Sequence, residues 1–388
     1  MSVEGRLLID LDRTPDGSGR ASIASSRPLG ITRVLAGGRA HDVVKTIPLL
    51  FNICGVAQGS AAVAACERAL GISVSPRTQQ VRKALVLLEM LREHMVRAAM
   101  DWPSFLGLSP QPDEMLRVMR LFTMARRAID PVARAFTIGV DLTEACAALQ
   151  PSLAEAEQLL RDLVLTEPLH QWHKRTTLAD LDDWCEAGRT PAQKLVRTVI
   201  DRAWADAGSA PLNMLPDLPE QEIASHLFGS ESAAFVAAPE WDGAACETSV
   251  LSRQVEHPLI KDTMRAHGAG LLARLTARLV EMAELPGQIS DVFCADDGFP
   301  SPPARLLKGR GIAHVEAARG RLVHGVEIAD EVVQRYAILA PTEWNFHSAG
   351  AAAQGLAEIA VRDGDVHALA SLFVSSVDPC VGYEVRVH

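Results

Sequence analysis

From Thr46 to Cys66 the chain runs for 21 residues without a charge, TIPLLFNICGVAQGSAAVAAC. A run of that length either crosses a bilayer or must be enclosed by the rest of the protein. Pro48, Asn52, Gly55, Gln58, Gly59 and Ser60 interrupt it with amides, a ring constraint and bare backbone. Lipid offers such groups no hydrogen-bond partners, so the run is predicted to be buried polypeptide and not a membrane span. A chain of 388 residues can provide the enclosure, because at that size folding buries roughly 75% of the unfolded surface. The thiol of Cys54, beside Gly55, sits in the middle of this run.

Hydrophobic residues at 48% and charged residues at 22% are those of an ordinary globular protein. A net charge of −10 excludes a nucleic-acid or anionic-membrane footprint. Glu4, Arg6, Asp10, Asp12 and Arg13 leave no room for an apolar signal core, so the expected compartment is the cytoplasm. The seven cysteines, at 54, 66, 146, 185, 246, 294 and 380, are odd in number and contain no CxxC pair. That pattern is neither a zinc ribbon nor a disulfide framework.

The spacing of apolar residues predicts one domain over 1–388, α+β and predominantly helical. Residues 6–12 and 20–25, joined by TPDGSG, read as a hairpin within 1–30. Helical periodicity dominates 40–285, with a capping-box start at Thr190, Pro191 and Gln193 and a weak point at Gly268 and Gly270. Pro286, Pro300, Pro302 and Pro303 mark 286–311 as a loop. Short β-type runs over 312–340 break at Arg319–Gly320 and at Asp330–Glu331, giving a small sheet. The alanine-rich SAGAAAQGLAEIAVRDGD carries a helix in the C-terminal segment 350–388, which is expected to close on the Cys54 region.

Four short constellations could carry chemistry. In VDPC, Asp378 as N-cap and Pro379 at the first helical position would set Cys380 at the positive end of a helix. Such a place favours the thiolate that a metal requires. The same residues can equally cap a helix over a packed thiol. Cys54 with Gly55 gives a thiol where backbone can approach closely, or a core cysteine in an apolar helix. Cys66, in AAVAACERALG, reads as core. Arg319–Gly320 puts a guanidinium near an apolar run, where it needs an acceptor or reaches the surface. After Pro341, Thr342 offers a hydroxyl and a backbone N–H at a turn that could also simply end a strand.

In this order the pieces resemble the large subunit of NiFe hydrogenases. VEGRLLIDL is similar to that family's opening Arg-Ile-Glu-Gly-His strand, and NICGVAQGSAAVAA to its Arg-x-Cys-Gly-x-Cys-x-x-x-His. LREHMVRAAMDW and PEWDGAACETSVLSR resemble the helix and mid-chain segment that follow. EAARGRLVHG, APTEWN and DPC resemble Glu-Ala-Pro-Arg-Gly, Pro-Thr-x-Trp-Asn and the opening of Asp-Pro-Cys-x-x-Cys-x-x-His. The family holds nickel with four cysteines; here only Cys54 and Cys380 remain, with Ala57 and Tyr383 at the second positions and Ala61 and Arg386 in place of the motif histidines. Two thiolates do not rebuild a nickel site that depends on soft sulfur ligands. The resemblance therefore implies no nickel and no hydrogenase activity.

What the resemblance retains is the surroundings of the iron, which in the family carries cyanide and carbon monoxide. It implies a cyanide cradle of Arg319, Pro341 and Thr342, metal contacts at Cys54 and Cys380, and support from Gly55, Asp378, Pro379 and Glu4. The two cysteines match terminal nickel ligands, so holding iron implies that they turn toward it. The chain stops at His388, two residues past the matching motif position, which implies no tail to be removed. These traits resemble the HupK/HoxV-type maturation proteins. They imply a scaffold that takes the iron fragment from HypC/HypD-type factors and passes it to the apo large subunit. A metal-free chaperone copying the large subunit, and a divergent redox subunit like the quinone-pocket subunit of NADH:quinone oxidoreductase, stay open beside it.

Overall fold

The computed structural model describes residues 5–51, 53–142, 149–294 and 309–388. Glu4 and Asn52 lie outside the described residues, as does most of the proline-rich stretch before β3. The chain opens with β1 (Arg6–Arg13) and β2 (Gly19–Ser25), an antiparallel pair in which Ile9 faces Ile23. Leu7, Ile9 and Leu11 alternate inward and are buried, as a strand with one covered face requires.

The uncharged run becomes the end of α1 (Ala40–Leu50), a short turn, and α2 (Gly55–Leu70). Alanine, glycine and serine make α2 slender, and neighbours close on it from most sides: α1, α3 (Pro76–Phe105) and a small sheet. Gly55 and Gly59 face Pro48 closely enough that a Cβ would lie 3.3 and 3.2 Å from its nearest atoms. α3 packs on its other side against α4 (Pro112–Ile129) and the long helix Leu271–Cys294. The Thr190 capping box is present, with Gln193 at its third position. A break at Gly268 separates the helices Pro258–His267 and Leu271–Cys294. No described helix is long and apolar enough to cross a membrane.

The second sheet is a meander of β3 (Arg310–Ala317), β4 (Gly320–Ala329) and β5 (Val332–Leu339), with turns at the two predicted breaks. A helix Ala351–Ile359 follows within the alanine-rich stretch, and another spans Val366–Val377.

Two expectations are corrected. The loop expected from Pro286 does not begin there: the helix runs on to Cys294, because Leu285, Ile289 and Phe293 continue a buried stripe at helical spacing. Burying them outweighs the roughly 3 kcal/mol of an interior proline. The helix expected to start at Asp378–Pro379 is absent. Asp378 instead ends the helix Val366–Val377 in a left-handed conformation, φ 67°. Its carboxylate is drawn inward by Arg97, Arg319 and Arg278 at 3.0, 3.4 and 3.5 Å, so it cannot cap a helix that follows. Past Cys380 the chain forms β6 (Gly382–Val387), which joins β1 in parallel with Val385 beside Ile9. The two ends of the protein thus share one sheet, in the order β2-β1-β6.

Candidate functional site

Cys54 is the N-cap of α2, so the helix terminus predicted for Cys380 belongs to Cys54 instead. That terminus is already occupied. Glu89 of α3 accepts hydrogen bonds from Val56 N and Ala57 N, both at 2.9 Å, replacing a side-chain cap. Cys380 sits in the bend between Asp378 and β6. Its sulfur accepts from the Thr342 hydroxyl at 3.0 Å, and its own N–H donates to Thr342 Oγ1 at 3.2 Å. The five described cysteines that have side chains on view (54, 66, 185, 246 and 380) are free thiols.

Both thiols line one cavity of about 40 Å³. That is roughly three times the 10–15 Å³ needed for a single water, room for a compact inorganic group. Phe51, Ile53 and Ile338 make its apolar wall, with Val381 beside Cys380. Arg27 and Glu343 complete it, joined by a buried ion pair at 2.6 Å. Burial disfavours the charge on Arg27, but Cys380 when deprotonated, the Glu343 carboxylate, and Cys54 when deprotonated raise its pKa. Burial, against the pull of Arg27, raises the pKa of Glu343.

Arg319, in the turn between β3 and β4, lies outside the lining of this cavity, and its charge opposes the rise in the Cys54 pKa. It is 4% exposed. One Nη donates to Glu93 at 3.1 Å and Nε lies 3.4 Å from Asp378 as an ion pair, while both Nε and Nη1 are buried without a hydrogen bond. A buried guanidinium N–H without an acceptor is costly, and the neighbouring Asp378 carboxylate offsets part of that cost through charge. The turn fits its surroundings only with glycine after Arg319: Gly320 has φ 129°, and a Cβ on it would meet Thr248 O at 1.6 Å. Asn345 fixes the same place, accepting from Thr248 N and donating to Arg319 O. Asp378 is held well below the usual carboxylate range, its burial outweighed by Arg319, Arg97 and Arg278. Cys54 is pushed up to about 12 by burial, Cys380 and Glu89, against Arg319 and Gln58.

The structure therefore gathers Cys54, Cys380, Thr342, Arg319 and Asp378, with Gly55, Pro341 and Pro379 in the adjoining backbone. Thr342 differs from expectation in that its hydroxyl is engaged by Cys380. Ala57 is fully buried, and the Tyr383 hydroxyl donates to Ser371 O, so neither second position offers a ligand. Arg27, Glu343 and Gln58 escaped the sequence reading. A lone arginine after a hairpin and a glutamine in an apolar helix carry no local signal. Among the described residues no group of three or more His, Cys, Asp or Glu is arranged to hold a metal ion.

Comparison with known proteins places the fold and the family. The family model for Nickel-dependent hydrogenase matches residues 251–386. The chain is 31% identical to the Hydrogenase expression/formation protein HoxV of Cupriavidus necator, over all of this chain and 96% of that protein. It is 30% identical to the Hydrogenase expression/formation protein HupK of Azotobacter vinelandii, over 99% of this chain and 98% of that one. Among solved structures, the [NiFeSe]-hydrogenase of Dm. baculatum superposes with a TM-score of 0.61 at 16% identity, covering 95% of this chain and 94% of that chain. The fold is accordingly that of NiFe-type hydrogenase large subunits, and the chain belongs to the hydrogenase expression/formation proteins of the HupK and HoxV group.

Proposed function

We propose that this chain is a scaffold in hydrogenase maturation and not a hydrogenase. It binds, transiently, the iron fragment carrying cyanide and carbon monoxide, and passes it to the apo large subunit of a NiFe hydrogenase. HypC/HypD-type factors supply the cargo. The observation that carries this reading is that Cys54 and Cys380, from opposite ends of the chain, line one small cavity with Arg27 beside it. With only two protein sulfurs, the cargo must bring its other ligands with it, as an iron already holding diatomic ligands does. Such ligands are negatively polarised acceptors, which suits the guanidinium of Arg27 in the cavity lining.

The same electrostatics favour release. Burial pushes Cys54 up to about 12, so the empty protein holds a neutral thiol, and only a bound cation keeps the sulfur deprotonated. Loading expels a proton from Cys54, and departure of the iron restores it. Holding is thus conditional, which suits a carrier.

The test is to purify the chain without oxygen from cells that also make the maturation factors, then measure iron and record the infrared spectrum. Cyanide and carbon monoxide stretching bands with about one iron per chain, lost in Cys54→Ala and Cys380→Ala, are expected. No iron and no bands, from cells with a working hydrogenase, would leave a metal-free chaperone.

A further inference from the structure

Gln58 lies one helical turn beyond Cys54 on α2, which stacks the two side chains on one face. Its Nε2 is 3.6 Å from Cys54 Sγ and its Oε1 is 2.9 Å from His324 Nε2. The other ring nitrogen, His324 Nδ1, is 2.8 Å from the Tyr336 hydroxyl. The two links to His324 are buried, with the ring wholly so, and the link to Cys54 is part-buried. Burial alone pushes His324 down to about 3, so at working pH the ring is neutral and carries one N–H. Burial also keeps the proton on Tyr336.

The orientation of the Gln58 amide decides where each proton sits. With the Gln58 amide nitrogen on the sulfur, its oxygen can only accept, so His324 must be protonated on Nε2. His324 Nδ1 is then a bare acceptor and takes the Tyr336 O–H. Every donor in the chain points the same way: Tyr336 to His324, His324 to Gln58, Gln58 to Cys54. Aligned bonds polarise one another, and each link removes a choice of orientation from the next. A buried chain ending on a ligating atom is the kind of outer support that tunes a metal site.

We infer that Gln58, oriented by His324 and Tyr336, is a positioning residue that presents an N–H to the Cys54 sulfur and thereby limits how strongly it donates to the iron fragment. The inference rests on the carrier reading above. Cys380 receives its own donor from Thr342, so each sulfur is approached by one hydrogen-bond donor, of different strength and origin. The reverse order of protons would need the Gln58 amide turned over, with His324 protonated on Nδ1. It is therefore distinguishable in the empty protein.

The experiment has two arms on the full chain. In iron-free protein labelled with ¹⁵N in histidine, the ring signal that disappears in His324→Gln is expected to be neutral with its proton on Nε2. Tyr336→Phe should move its Nδ1 resonance. A proton on Nδ1, or no response to Tyr336→Phe, overturns the proposal. In loaded protein, Gln58→Leu keeps the volume and removes the amide. A more electron-rich sulfur then shifts the carbon monoxide band to lower wavenumber at unchanged iron content, with Tyr336→Phe shifting it the same way by less. Unchanged bands in both variants overturn the proposal. Should Gln58→Leu not fold, Tyr336→Phe alone decides. Absence of iron from the unaltered chain would sink the carrier reading, while the histidine signal would still judge the chain of hydrogen bonds.

Discussion

The two small sheets of this protein are built in opposite ways. β3, β4 and β5 follow one another, antiparallel, through two-residue turns at Ala318–Arg319 and Asp330–Glu331. The other sheet joins a hairpin at one end of the chain to β6 at the other end, in parallel, where no turn can set the register. Each contributes one side of the site. The local sheet presents Arg319 from its turn, while the non-local one places Cys380 at the entrance to β6 and Arg27 just beyond β2. The cavity therefore depends on long-range closure of the chain, and the local sheet supplies charge to a place defined elsewhere.

The largest expected effect tests what holds that closure. Asp378 stands where the last helix gives way to β6, and its carboxylate faces Arg97, Arg278 and Arg319 in the interior. Removing one partner from a buried ionic cluster strands the others, at roughly 3–5 kcal/mol. Asp378→Asn is expected to lose that much in urea denaturation, with hydrogen exchange accelerating in β6 before β4. A loss under about 1 kcal/mol would mean that strand pairing alone closes the chain.

Next comes Ile9, fully buried between Ile23 and Val385. Ile9→Ala should destabilise by about 2–5 kcal/mol through lost burial and the cavity left behind. Because β6 leans on Ile9, it should also speed the reaction of Cys380 with a thiol reagent. Val333→Ala, in the local sheet, should leave that rate unchanged. Equal acceleration by both would show that the sheets are not independent supports.

The contrast explains what was legible in the sequence. The meander could be read from its strands because Arg319–Gly320 and Asp330–Glu331 interrupt apolar runs within ten or so residues. The first hairpin was readable for the same reason. The pairing of β6 with β1 leaves no local trace, since Gly382–Val387 alternates like any edge strand. Asp378–Pro379 was misread because Asp before Pro signals a helix start or a helix end equally well, and the three arginines that decide lie far away in sequence. Cys54 and Cys380 could be picked out by ordered motifs, while Arg27, Glu343, Gln58 and His324 matter through contacts that only folding creates.

The local sheet should be the more sensitive to mild acid. His324 on β4 is pushed down to about 3 by burial, and His314 on β3 to about 4 by burial with help from Arg321 and Arg68. Both are neutral in the folded protein but protonate near 6.5 once unfolded. Below 6.5 the unfolded chain therefore binds more protons, and stability falls by about 1.4 kcal/mol per pH unit for each histidine. The buried carboxylates that arginines hold low act later. Glu281, down at about 2 because Arg253 and His94 outweigh its burial, keeps its contribution until pH drops below its ordinary value near 4.5. Unfolding free energies between pH 7.5 and 5 should show this slope, and His324→Gln should remove one histidine's share. A flat profile would place water or a charge beside these rings.

The smallest effect tests whether the local sheet is as local as its turns suggest. Asp330 and Glu331 have φ of 51° and 63°, the paired left-handed geometry of a tight hairpin turn, where glycine is favoured at the second position. A side chain in that conformation costs about 1–2 kcal/mol, while glycine gives back about 0.5–1 kcal/mol in unfolded-state entropy. Glu331 also pairs with Arg39 at 2.7 Å, but both are more than 60% exposed and such a pair contributes little. The carbonyl that accepts from Ala40 N belongs to the backbone and survives substitution. Glu331→Gly should therefore stabilise the protein by about 0.5 kcal/mol in denaturation, with Arg39→Ala close to neutral. If Glu331→Gly instead destabilises, and Arg39→Ala does so equally, the hairpin is held from outside by the start of α1. Both sheets would then depend on distant chain, and the site would have no locally determined side.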